Sequence, residues 1–259
     1  MVDKPKILYY DLETSPLKAY IWGLGKQVVR HHQLDKARCQ HGIICATYCF
    51  NDGKPAKAID WGYEEQSTKK VVEEFDQIIK QADIVIGKNS DRFDNKMLNA
   101  ARMFNGLPGY PQWTKYTEDL EKLMRRYFRL PSYALDYVSG QLGLGGKIKM
   151  EFQDWIDIVE KTPNGLAAFK KMIKYGKKDV EDTRAMWLYM EEHFETKINI
   201  ARYNDIDMGC RHCASINLKR NGTPVYSGIR YQEYVCTDCG RYAGRTTISP
   251  ILNKEGRLR

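Results

Sequence analysis

Residues 4–16 read KPKILYYDLETSP, and the reading of the two carboxylates behind its apolar run decides the fold. KILYY (6–10) has the aromatic and branched side chains of a buried strand. Side chains alternate along a strand, so Asp11 and Glu13 share one face and Leu12 takes the other. Two carboxylates side by side repel unless a cation lies between them, and Mg2+ or Mn2+ accept such oxygen ligands. A solvated strand end fits the three residues alone. Asp-x-Glu recurs at 119–121 and 179–181, on or near helical sequence, where i and i+2 do not share a face.

Further strands are predicted at GIICATYCF (42–50) and AKAIDWG (56–62), with the turn NDG (51–53) between them. STKKVVEEFDQIIKQAD (67–83) has helical spacing, with Ser67 or Thr68 as N-cap. IVIG (84–87) is a short buried strand. A helix is expected over 92–104 with Met97, Leu98, Ala101 and Phe104 inward, stopped by Asn105-Gly106. A fifth strand falls around 113–118, and a helix follows from Leu120. Ser132 is expected to cap a short helix through Leu142, and a glycine loop comes next. From Gly165 to about Ala201 the pattern is helical, with a break or kink at Gly176. This order predicts an α/β layout around a mixed sheet of about five strands.

Two more pieces carry acids. In IVIGKNSDRFDNKML (84–98), Asp91 is the more natural helix cap, which frees Asp94 for another task. In KMIKYGKKDVEDT (171–183), Tyr175 and Asp179 are four apart and share a helix face, with Asp182 a rival for Asp179.

The ordered set DLET (11–14), NSDRFD (89–94) and YGKKD (175–179) resembles the three motifs of the DEDD 3′–5′ exonuclease superfamily, whose fold is RNase H-like. LPSYALDYVSGQLGLGGK (130–147) is similar to the segment before the last motif in the exonuclease domains of family B DNA polymerases. The resemblance covers roughly residues 6–195. It implies that Asp11 bridges two divalent ions, Mg2+ or Mn2+, about 4 Å apart. It implies that Glu13 and Asp179 complete the site of the water-activating ion, and that Asp94 holds the second. Tyr175 would orient the attacking water. The histidine subgroup has its residue at the position of Lys174 here, so the tyrosine subgroup matches better. Leu12 and Thr14 would contact the terminal nucleotide, and Asn89 and Phe93 would line the single-strand path.

After Tyr203 helical periodicity gives way to turns and alternation, so the expected domains are 1–203 and 204–259. Cys210, Cys213, Cys236 and Cys239 form two Cys-x-x-Cys pairs separated by 22 residues. Four thiolates so spaced suit a closed structural Zn2+ site. Ala214 stands where Gly240 ends the second knuckle, a small departure from the pattern, and His212 is read as a bystander. The tail resembles the zinc ribbons of transposases and other DNA-associated proteins. Arg211, Lys219, Arg220, Arg230, Arg241 and Arg245, with Tyr231, Tyr234 and Tyr242, suit nucleic-acid binding.

Across 259 residues the net charge is +8, which favours a polyanionic partner. No apolar run approaches the ~20 residues that span a bilayer, and the N-terminus lacks a signal-like apolar stretch, so a cytoplasmic protein is expected. The leading expectation is a two-metal 3′–5′ exonuclease acting on single-stranded DNA, with a polymerase or a replication or repair protein as candidate partner. Two alternatives stand beside it: an RNase H-like transposase or structure-specific endonuclease, and a non-catalytic nucleic-acid-binding protein.

Overall fold

The computed structural model describes residues 4–26, 28–38, 40–109, 116–145, 148–196 and 198–248. They form two compact units, one over Lys6–Phe194 and one over the described residues from Glu195 onward together with Lys4 and Pro5.

The larger unit is built on a five-stranded sheet of β1 (Ile7–Thr14), β2 (Ile43–Phe50), β3 (Lys57–Asp60), β4 (Ile84–Gly87) and β5 (Tyr116–Asp119), in the order β3-β2-β1-β4-β5. The β1–β2 and β2–β3 pairs are antiparallel, whereas β1–β4 and β4–β5 are parallel. This is the mixed, helix-flanked α/β sheet expected from the sequence. β2 is buried along nearly its whole length, so it reads as a continuous apolar run and not as an alternation. α1 (Thr68–Ile79) buries Val71, Val72, Phe75 and Ile79, each worth about 2 kcal/mol. Its cap is Ser67, whose side chain accepts the Lys70 N–H.

Several elements depart from the sequence expectation. α2 runs Asp94–Phe104, capped by the Phe93 backbone. Asp91 does not cap it, because its carboxylate accepts from Asn95 Nδ2 and pairs with Lys122. Phe104 is exposed, and Arg102 is buried in its stead, paired with Asp76. β5 begins at Tyr116, and residues 113–115 of the expected strand lie outside the described residues. Asp119 ends β5 and caps α3 (Leu120–Tyr127). α4 (Leu135–Gln141) is capped at Ala134, and Ser132 Oγ instead accepts the Ala134 N–H. α5 (Phe152–Glu160) was not anticipated.

α6 (Gly165–Met190) is one unbroken helix of 26 residues, so Gly176 does not break it. A Cβ at Gly176 would lie 2.8 Å from Thr47 Cγ2 on β2, so its absence lets the helix backbone lie against the sheet. That close approach overrides the weak helix propensity of glycine.

The smaller unit has α7 (Ile200–Tyr203) and the strands β6 (Leu218–Arg220), β7 (Val225–Tyr226), β8 (Ile229–Cys236) and β9 (Tyr242–Thr247). β8 is the common partner of the other three, all antiparallel. No helix among the described residues is long and apolar enough to cross a membrane.

Candidate metal centres

β1 pairs with β4 only as far as Tyr10, because β4 ends at Gly87. From Asp11 onward that edge of β1 is open. Asp94, at the first turn of α2, takes its place: Asp94 Oδ1 accepts the Leu12 N–H at 3.1 Å. Gly87 makes the turn possible, since a Cβ there would lie 2.5 Å from Ser90 Cβ. The β4–α2 loop is held from outside by Asp119, whose oxygens accept the N–H groups of Asn89 and Asp91. Tyr10 OH donates to Asn95 Oδ1 at 2.8 Å and ties the start of α2 to β1.

The other face of β1 carries Tyr9, Asp11 and Glu13, with Thr47 of β2 opposite Asp11. α6 lies on this face where Gly176 meets Thr47, one residue after Tyr175 and three before Asp179. Carboxylate oxygens of Asp11, Glu13 and Asp179 then all lie within 4.8 Å of one another. Two oxygens bound to one ion at about 2.1 Å are at most about 4.2 Å apart, so small side-chain rotations bring this set around a hard divalent cation. Asp182 is not in the cluster. It faces Lys178, which also donates to the Leu144 carbonyl.

The electrostatics agree with the geometry. Burial, followed by the charges of Asp94, Glu13 and Asp179, holds the Asp11 carboxyl well above its ordinary range. Burial and then Asp179 and Asp94 push Glu13 up to about 8. Burial raises Asp94 to about 7, against the backbone N–H groups that favour its charged form. A bound divalent cation would reverse this, because it favours the ionised carboxylates. Burial and then Asp179, whose carboxylate bonds its hydroxyl, raise Tyr175. Lys88 is the cation that offsets charge at both Asp11 and Asp94. It pairs with Glu121 at 2.8 Å. Sequence reasoning passed over Lys88, whose only signal is its place directly after the strand end at Gly87.

The remaining expected contacts are placed as follows. Leu12 is 5% exposed and its side chain packs in the core. Thr14 is half-buried at the end of β1. Asn89 takes the left-handed conformation, φ 59°, in the β4–α2 loop, and Phe93 is exposed beside Asp94.

In the smaller unit, the Sγ atoms of Cys210, Cys213, Cys236 and Cys239 lie within 4.8 Å of one another. The Cys210–Cys239 and Cys213–Cys236 separations are 3.7 Å and 3.6 Å. A tetrahedral zinc with bonds of about 2.3 Å has sulfur–sulfur edges of about 3.8 Å, so the donor set fits. The two knuckles repeat one hydrogen-bond pattern. Ala214 N bonds Cys210 O as Gly240 N bonds Cys236 O, and Cys210 N bonds Ser215 O as Cys236 N bonds Arg241 O. Ala214 adopts φ 60° and Gly240 φ 71°, so the departure in sequence is none in conformation. Burial raises Cys236, but N–H groups of Cys239 and Asp238 aimed at its sulfur bring it down to about 7. His212 stands outside the cluster. On the β8–β9 ribbon, Arg245 lies over the Tyr231 ring at 4.3 Å and the Tyr226 ring at 5.2 Å. Arg211 is turned inward and donates to the Thr196 carbonyl.

No family model and no curated protein matches this chain. Among solved structures it is similar to the family B DNA polymerase from the hyperthermophilic archaeon Pyrobaculum calidifontis, with a TM-score of 0.54 and 12% identity. The match covers 88% of this chain and 32% of the polymerase chain, so the protein spans about a third of that relative's length. At this identity the likeness is one of fold.

Proposed function

We propose that the larger unit is a metal-dependent 3′–5′ exonuclease acting on single-stranded nucleic acid, DNA in preference to RNA. The observation that carries the reading is the convergence of Asp11, Glu13 and Asp179 from β1 and α6, with Asp94 coupled to them from α2. Asp11, Glu13 and Asp179 would hold one Mg2+ or Mn2+, and Asp11 with Asp94 a second. Such ions, when bound, lower the pKa of water and stabilise charge on the attacking and leaving oxygens of a phosphodiester.

The protein's own groups do the rest. The Tyr175 hydroxyl, bonded to Asp179, orients a water for in-line attack. Lys88 limits the negative charge that an incoming phosphate meets. Phe93 offers an exposed ring to an unpaired base, with Asn89 beside it. The end of β1, at the Leu12 backbone and Thr14, would abut the terminal nucleotide, since the Leu12 side chain packs in the core. The likeness to a DNA polymerase supports nucleic acid as the substrate class, and a polymerase or a replication or repair protein would be the partner. Residues 204–259 act as a zinc ribbon in this reading, with structural Zn2+ on the four cysteines and Arg245, Tyr231 and Tyr226 facing nucleic acid.

The test is degradation of a 5′-labelled single strand in Mg2+ or Mn2+. Mononucleotides should leave from the 3′ end, and a circular single strand should persist. Asp11→Asn and Asp94→Asn should each slow release by about 10³-fold, equivalent to about 4 kcal/mol of transition-state stabilisation. Full activity in either variant sinks the assignment, and cleavage of the circle favours an endonuclease.

A further inference from the structure

One strongly exposed segment plays no part in the carboxylate centre. β1 passes through Ser15 into an arm that returns to β2 at Gly42. Residues 18–20 and 33–35 pair as a short antiparallel ribbon, with Tyr20 N to Gln33 O and Asp35 N to Lys18 O at 2.8 Å. Beyond this ribbon Trp22 is fully exposed, and Leu24, Val28, Tyr20 and Ile21 are also exposed. Tyr20 is held in place by its hydroxyl, which donates to Asp35 Oδ2 at 2.8 Å. Gln33 braces the ribbon, with Nε2 on the Tyr20 carbonyl and Oε1 accepting the Arg30 N–H. Tyr20, Ile21 and Trp22 on one side and Arg30, His32 and Gln33 on the other line an open groove of about 530 Å³.

A patch of exposed apolar rings marks a binding surface, and its charge selects the partner. Between Pro16 and His41 the sequence carries Lys18, Lys26, Arg30, Lys36 and Arg38 against Asp35 alone, with three of the five histidines. That segment holds half of the chain's net charge of +8. Fixed aromatic rings among basic side chains are the means by which proteins hold unpaired nucleic acid. A purely apolar protein partner would gain nothing from this charge.

We propose that the arm is a docking platform for single-stranded nucleic acid, with bases stacked on Trp22 and Tyr20 and phosphates against Arg30 and Lys26. It rests on the exonuclease reading in one respect: the strand held is the one whose 3′ end reaches the acidic centre. Tyr20 is seven residues after Glu13, so their Cα atoms are at most about 25 Å apart at ~3.5 Å per residue. The arm therefore grips the strand upstream of the bond being cut.

The test uses an oligothymidylate of ~16 nucleotides, the upper end of single-strand site sizes. Binding is read by fluorescence anisotropy with the full-length chain carrying Asp11→Asn. Adding Trp22→Ala should weaken binding by about five- to a hundredfold, and Trp22→Phe should retain most of it. Arg30→Ala should reduce the slope of log affinity against log salt by about 0.7. In the otherwise unaltered chain, Trp22→Ala should slow degradation of the oligomer more than that of a dinucleotide, which spans less of the path towards the arm. Binding indifferent to Trp22 overturns the proposal, as does an equal loss on the dinucleotide. If Trp22-dependent binding persists while no metal supports hydrolysis, the arm stands and the exonuclease reading falls.

Discussion

The carboxylates of Asp11, Glu13 and Asp179 are held by a sheet and a 26-residue helix that pack without them. The thiols of Cys210, Cys213, Cys236 and Cys239 are held by little besides one another: the core of their unit is Cys210, Cys236 and Ala243, with Cys213, Leu218 and Tyr234 against it. Both are clusters of donor atoms that could hold a cation. In the first the fold imposes the cluster and bears its repulsion. In the second the cluster would have to make the fold. On the proposed reading, loss of metal should cost activity in one unit and structure in the other.

The largest expected effect breaks the smaller unit. Structural zinc contributes about 10–16 kcal/mol of apparent binding energy to small domains, far more than so few apolar side chains supply. Cys236→Ser, or zinc removal by a chelator, should unfold the β6–β9 unit and leave the larger unit intact. Proton–nitrogen correlation spectra report both: resonances of residues 210–247 should collapse to random-coil positions while those of β1–β5 stay dispersed. A folded ribbon without metal contradicts the comparison.

The next effect sharpens the acidic side. The carboxyls of Glu13 and Asp94 titrate higher in the folded chain than in the unfolded one. Below about pH 3 both states are protonated, and the folded state keeps the full contribution of these groups. As pH rises the unfolded chain ionises first, so stability is lost progressively until the folded groups ionise at about 7 and about 8. In Mg2+-free buffer with zinc retained, the helical melting temperature should fall between about pH 5 and about pH 8. Millimolar Mg2+ should restore it, more at the upper pH than at the lower. Asp11→Asn should flatten the fall, because it removes one of the repelling charges, and should abolish the Mg2+ effect. A melting temperature that rises with pH refutes the account.

The comparison also governs what was legible in the sequence. Asp11 and Glu13 share a face because strands have period two, and the four cysteines announce themselves by spacing; both are local signals. The bond from Leu12 N–H to Asp94 is not local, since it exists only because β4 ends where β1 goes on. Lys88 lacks any motif, and its role follows from where the parallel pair stops. Gly176 reads as a helix breaker by propensity, yet the sheet behind it decides otherwise. Phe104, expected inward, is exposed, and Arg102 is buried because Asp76 on α1 offers it a partner. The arm after β1 is not legible in the sequence, because exposed aromatic residues at irregular spacing resemble an ordinary loop until their burial is known.

Gly176→Ala tests how finely α6 is set. Alanine gains about 1 kcal/mol in helix propensity but meets the buried Thr47 side chain, and overpacking costs about 1–3 kcal/mol. We expect a net loss of about 1 kcal/mol by thermal denaturation. Activity should fall further than stability, because the shift displaces the turn that carries Tyr175 and Asp179. A more stable variant with full activity shows that the helix has slack against β2.

The smallest effect lies in the first cysteine knuckle. Ala214 sits in the left-handed region, which costs an L residue about 1–2 kcal/mol, whereas Gly240 meets no such penalty in the second. Ala214→Gly removes that strain but gives up a buried methyl group worth about 0.8 kcal/mol and adds freedom to the unfolded chain. These terms nearly cancel, so zinc affinity by chelator competition should change by no more than about threefold, or roughly 0.6 kcal/mol. A larger gain would mean that the knuckles, though matched in hydrogen bonding, are not equally relaxed, and that the sequence departure at Ala214 carries a cost which the four-cysteine site bears.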